Sequence, residues 1–120
     1  MRLALALTLL FATPALAQET CLTGAAAREG VLVSVRHQML NKTWQNFYVL
    51  RYARPVCLVD DEGGRHENQI EVGLFPRDEK QLARLVGKKV RIVAEEPIVG
   101  ETQSHIRDLT FMDATARAVR

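Results

Sequence analysis

The stretch Asp78–Glu95, DEKQLARLVGKKVRIVAE, changes its hydrophobic period at a single glycine. Before Gly87, Leu82, Leu85 and Val86 fall at i, i+3 and i+4, the spacing of one helix face. After it, Val90, Ile92 and Ala94 alternate with Lys89, Arg91 and Glu95, the spacing of a strand. Asp78 suits the N-cap, Gln81 completes a capping box, and Gly87 supplies the left-handed C-cap. One short helix that runs directly into a strand must be housed among the other elements, and those are strands.

Val31–Arg36 alternates Val31, Val33 and Val35 with Leu32, Ser34 and Arg36, a first strand rich in β-branched residues. A polar connection, His37–Asn46, leads to a long second strand, Phe47–Val59, with Phe47, Val49, Arg51 and Ala53 on one face and Tyr48, Leu50 and Tyr52 on the other. Pro55 cannot donate to a ladder, so the strand is at an edge or bulged there. Asp60–Asn68 reads as a hairpin loop in which Gly63 and Gly64 supply positive φ. The third strand, Gln69–Phe75, directs Ile70, Val72 and Leu74 inward and Gln69 and Glu71 outward. Pro97–Ser104 reads as a loop, His105–Asp113 as the last strand with Leu109 and Phe111 inward, and Ala114–Arg120 as an extension or a tail.

Residues 1–17, MRLALALTLLFATPALA, have a basic n-region at Arg2, an apolar h-region from Leu3 to Phe11, and an Ala15-Leu16-Ala17 cleavage site. This is the pattern of an export signal. Its apolar run is shorter than the roughly 20 residues a membrane span needs. Removing those 17 residues from 120 leaves 103, organised as an N-terminal arm over residues 18–29 and one small domain over residues 30–120. The address expected is the periplasm or the outside of a bacterium. There, the even pair Cys21 and Cys57 reads as a disulfide that ties the arm to the end of the second strand. The net charge of +2 falls to +1 with the loss of Arg2, which gives no basis for a nucleic-acid partner or an anionic membrane. No membrane span is expected once the signal is removed.

Strand, strand, strand, helix, strand, strand is the element order of the OB-fold. The fold class expected is therefore mainly β, a five-stranded OB-like barrel with one helix between strands three and four. An SH3-like barrel and a small open sandwich are the alternatives. Leu50–Val119 also resembles an uncharacterised family of secreted bacterial domains, a domain of unknown function. The resemblance rests on Pro55-Val56-Cys57, on Leu82-Ala83-Arg84-Leu85-Val86-Gly87-Lys88-Lys89-Val90, and on Thr102-Gln103-Ser104-His105. The chain departs from that pattern in having one His where the family has two, and Glu95-Glu96 where it tends to Gly. The resemblance implies compartment and fold and brings no known activity. A looser one, in compartment and element order, is to bacterial periplasmic OB-fold stress proteins.

No nucleophile–base pair, phosphate-binding loop or H-E-x-x-H stands in the sequence, so a non-enzymatic binding module without cofactor is expected. Its partner would be an envelope or extracellular protein, a glycan or a small molecule; neither ligand identity nor oligomeric state is legible. OB-folds bind with strands two and three and the adjoining loops, which here offers Trp44, Tyr48, Arg51, Arg54 and His105. Trp44 can stack on a ligand or fold back as a cap. The alternative function is a metal site of His37 and His105 with a third ligand from Glu96, Glu101 or Asp108. The acidic hairpin Asp60, Asp61, Glu62 and Glu67 lacks calcium-loop spacing and reads as solvated turn carboxylates. Inhibition of a lysozyme-like enzyme would suit the compartment, but no residue points to it.

Overall fold

The computed structural model describes residues 20–100 and 105–120. The signal expected over residues 1–17, and Glu101 to Ser104 of the expected loop, lie outside the described residues. The protein is mainly β. Its elements run α1 (Gly24–Ala27), β1 (Glu29–Gln38), β2 (Trp44–Val59), β3 (Arg65–Pro76), α2 (Glu79–Ala83), β4 (Lys89–Val93), β5 (Ile98–Val99) and β6 (Leu109–Ala118).

Six strands form one sheet in the order β3-β2-β1-β4-β6-β5, and β3 pairs in addition with β6. The pairings therefore run from β3 through β2, β1, β4 and β6 back to β3, antiparallel except for the β3–β6 contact, which is parallel. That contact sets Gly73 opposite Thr110 and Leu74 opposite Phe111. A Cβ on Gly73 would lie 2.9 Å from Thr110 Oγ1, so the close approach needs glycine. Thr110 is buried, and its hydroxyl has no hydrogen-bond partner among the described residues. Inside lie Leu32, Leu50, Leu58, Val72, Leu82, Val90, Ile92, Leu109 and Phe111, all nearly or wholly withdrawn from water.

Pro55 marks a bulge. Arg51 faces Glu71 and Val56 faces Gln69, so the single residue Ile70 opposes Tyr52 to Pro55. The irregularity corrects the third strand. Ile70 shares the parity of buried Val72 and Leu74, yet it is exposed where the ladder opens, while Glu71, expected outside in water, is buried. A second irregularity sits at Asp113, whose φ is 53°. Before it Leu109 and Phe111 point inward; after it Ala114 and Ala116 do, because the extra residue shifts the alternation by one. Arg77 clamps Asp113 with two hydrogen bonds of 3.1 and 2.9 Å.

Asp78 caps α2, accepting from the Lys80 N–H at 3.0 Å. The expected capping box does not form. Gln81 instead bonds both backbone groups of Ala116 on β6, accepting from its N–H at 3.0 Å and donating to its carbonyl. The helix is shorter than its hydrophobic period implied. It ends at Ala83, turns continue to Gly87 at φ 87°, and Val86 is left exposed while Leu82 is buried. Further corrections concern the connections. The first is only residues 39–43, since His37 and Trp44 are within strands. Gly63 alone of the hairpin glycines has positive φ. Part of the expected Pro97–Ser104 loop is β5, pairing Ile98 with Thr110 and Val99 with Leu109. The last strand starts at Leu109 rather than His105, and the supposed tail is its continuation against β4.

Cys21 and Cys57 stand at disulfide distance, with Cα atoms 4.4 Å apart, a pairing that fits an oxidising compartment. The adjacent Leu22 N–H donates to the Cys57 carbonyl at 2.9 Å, so the arm lies alongside β2. No helix among the described residues is long and apolar enough to cross a membrane.

Candidate functional site

Arg51 and Glu71 are directly opposite on β2 and β3, a cross-strand pair of opposite charge. Glu71 Oε2 accepts from Arg51 Nε at 2.6 Å, and Glu71 Oε1 accepts from Arg107 Nε at 2.8 Å. The second nitrogen of each fork, Nη2, lies 2.5 Å (Arg51) and 2.7 Å (Arg107) from the same respective oxygens. Arg107 further donates from Nη1 to the Ile106 carbonyl at 2.8 Å. Burial alone would raise the Glu71 pKa; hydrogen bonds and charge from Arg107 and then Arg51 outweigh it and hold the carboxyl below its ordinary range. One buried carboxylate thus organises two guanidiniums, and the cluster keeps a net positive charge.

Arg51 also borders a groove of about 590 Å³ between β1 and β2, with Val31, Tyr52 and Ala53 as its apolar wall and Lys89 across it. Gly30 shapes that groove: a Cβ there would meet the Arg51 carbonyl oxygen at 2.5 Å, so the strands approach more closely than a side chain permits. Tyr52 is fixed by donating its hydroxyl to the Ala27 carbonyl at 2.6 Å; burial raises its pKa and nearby Arg28 opposes this only in part. The chemistry available is an apolar surface bordered by two cations, Arg51 and Lys89, with the Glu29 carboxylate, itself paired with Arg91, also lining the groove.

The five expected ligand residues do not form one face. From Gln38 opposite Trp44 to Val31 opposite Arg51 the β1–β2 register is unbroken. Trp44 and Arg51 are offset by seven positions, an odd number, so they point to opposite faces about 23 Å apart along the strand. Tyr48 turns its ring into the core and keeps only its hydroxyl for Glu79, at 3.3 Å; burial first, and then Glu79, raises its pKa. Arg54 is exposed within the β2 bulge. His105 is half-buried against Gly100, where an added Cβ would meet its own at 2.8 Å, and it lies two residues before Arg107. Trp44 is 54% exposed, with the Arg36 guanidinium 5.2 Å from its ring centre. It neither caps the core nor joins Arg51.

The histidines have separate settings. His37 packs edge-on against Phe47, and His66 meets Asp60 Oδ2 at 2.8 Å. Among the described residues no three His, Cys, Asp or Glu side chains converge to hold a metal. Asp60 is not a solvated turn carboxylate. It is buried, and Oδ1 accepts from the N–H groups of Glu62 and Gly64, both at 2.8 Å. The His66 hydrogen bond first, and these backbone bonds next, depress its pKa. Sequence reasoning missed Arg107 and Lys89. Arg107 lies where the sequence pattern starts the last strand too early, and alternation alone marks Lys89 only as an outward-facing strand residue. Comparison with known proteins finds no matching family model, no matching curated protein and no matching solved structure.

Proposed function

We propose that the chain is an exported, non-enzymatic binding module on an OB-like barrel, holding an anionic partner at Arg51 and its neighbours. The partner is an envelope or extracellular protein, a glycan or a small molecule. The order of three strands, a helix and then β4 and β6, with the two-residue β5 between them, supports the OB-like reading, as does the return of the pairings to β3 through a parallel contact. Disulfide spacing and the A-x-A signal support a periplasmic or secreted address. In OB-folds the second and third strands, with the loop before the last strand, form the ligand face. Arg51, Glu71 and Arg107 occupy those places. One observation carries the reading: a buried carboxylate aligns two guanidiniums, and one of them, Arg51, borders a groove that Lys89 also lines. Such pre-orientation lowers the entropy cost of binding an anion.

The test is affinity capture from an envelope extract by wild type and by the double variant Arg51→Gln/Lys89→Gln, with retained molecules identified by mass spectrometry. The double variant should lose an anionic component that wild type retains. Equal retention by both would rule out this face, and a stoichiometric metal in chelator-free protein would turn the assignment toward the histidines.

A further inference from the structure

The far end of the β1–β2 ribbon has a composition unlike the rest of the chain. Between Arg36 and Asn46 it carries two cations, Arg36 and Lys42, and no Asp or Glu, although the whole chain is nearly balanced. Pairing of β2 with β3 stops at Tyr48, yet β1 and β2 remain paired from Val35–Phe47 to Gln38–Trp44, so the ribbon extends past the third strand. At its tip Leu40 is 83% exposed and Trp44 54%. The cations Arg36 and Lys42 flank them, Arg36 lying over the indole.

The turn is built before any partner arrives. Met39 N–H donates to the Thr43 carbonyl at 2.8 Å, and Lys42 N–H donates to the Met39 carbonyl at 2.9 Å. Asn41 Oδ1 accepts from the Thr43 N–H at 3.1 Å and from its hydroxyl at 2.6 Å. Lys42 takes φ 72° to complete the reversal. The turn's polar groups are thus largely satisfied within it, which lowers the cost of moving it into a less polar medium.

We infer that this turn docks the protein on the surface of an anionic phospholipid bilayer, with Leu40 and Trp44 entering the headgroup boundary and Arg36 and Lys42 against lipid phosphates. An exposed aliphatic and an indole accompanied by two cations, with no carboxylate at this end of the ribbon, match that interface in both polarity and charge. The overall charge balance expected from composition is silent on this because it averages over the acidic hairpin and the ribbon. The inference does not rest on the Arg51 face, which lies on the opposite side of β2.

Trp44 is the only tryptophan, so its emission reports on the turn directly. Purified protein is titrated with vesicles of phosphatidylglycerol and phosphatidylcholine, and with vesicles of phosphatidylcholine alone. Emission should shift to the blue and be quenched by brominated lipid only with the anionic vesicles. Leu40→Ser and Arg36→Gln/Lys42→Gln should each weaken the partition by about tenfold or more. Val93→Ser, which removes an exposed apolar residue of β4, should bind as wild type, and unchanged urea midpoints keep folding out of the comparison. Every variant carries the same residues 1–35, so the differences read the turn alone. Emission unmoved by anionic vesicles would overturn the inference, as would equal binding to neutral ones or full binding by Leu40→Ser.

Discussion

Glu71 was readable from the sequence only as one of the outward residues of an alternating strand. Its burial depends on Arg107, which is far away in the chain and cannot be located from local pattern. Replacing it with Gln leaves two guanidiniums facing each other without their carboxylate. The loss at neutral pH should be about 1–2 kcal/mol, the low end for a charged hydrogen-bonded pair because both arginines are partly exposed. The pH dependence has a definite sign. The folded-state pKa of Glu71 is depressed, so its contribution is present above the ordinary value of 4.5 and disappears as pH falls through the folded value. Urea midpoints of wild type and Glu71→Gln should therefore converge in acid; a gap that stays constant down to low pH would show that the carboxylate's charge is not the source. Asp60 shifts in the same direction through His66 and the hairpin amides, so acid weakens the wild type at that hairpin as well.

At the scale of elements, β1 owes its path to Gly30, which lies between β2 and β4. It pairs with Val90 while standing too near the Arg51 carbonyl for any side chain. Gly30→Ala should cost about 1–3 kcal/mol through backbone displacement. The urea midpoint measures this, and an unchanged value would mean the strands can part freely there. The helix-to-strand switch was the most legible part of the fold, since Asp78, Leu82 and Gly87 act through neighbouring residues. Gln81 was less legible: a cap partner three residues away competes with Ala116 on another strand, and the tertiary partner wins. A missing N–H is a local fact, so Pro55 by itself implies an edge or a bulge, and the structure has the bulge. Its consequence for Ile70 is not local, because that needs the register of the strand opposite.

Over the whole molecule, the arm and β2 are held by Cys21 and Cys57, with Leu22 bonded alongside. Replacing both cysteines with Ser should cost about 3–4 kcal/mol for a link spanning 36 residues. Intact mass before and after reduction, with urea midpoints, tests both the bond and its contribution; no two-dalton change would mean free thiols. By itself, the sequence determined the β-rich class and the two cysteines that the structure brings to disulfide distance. These follow from dihedral preferences, alternation and chemistry expressed within short stretches. Only the tertiary structure decided that Trp44 and Arg51 belong to different surfaces, that Glu71 gathers two arginines, and that β6 closes against β3. Those depend on register, where an odd offset, three residues at the Pro55 bulge and one at Asp113, exchanges the faces of what lies beyond it.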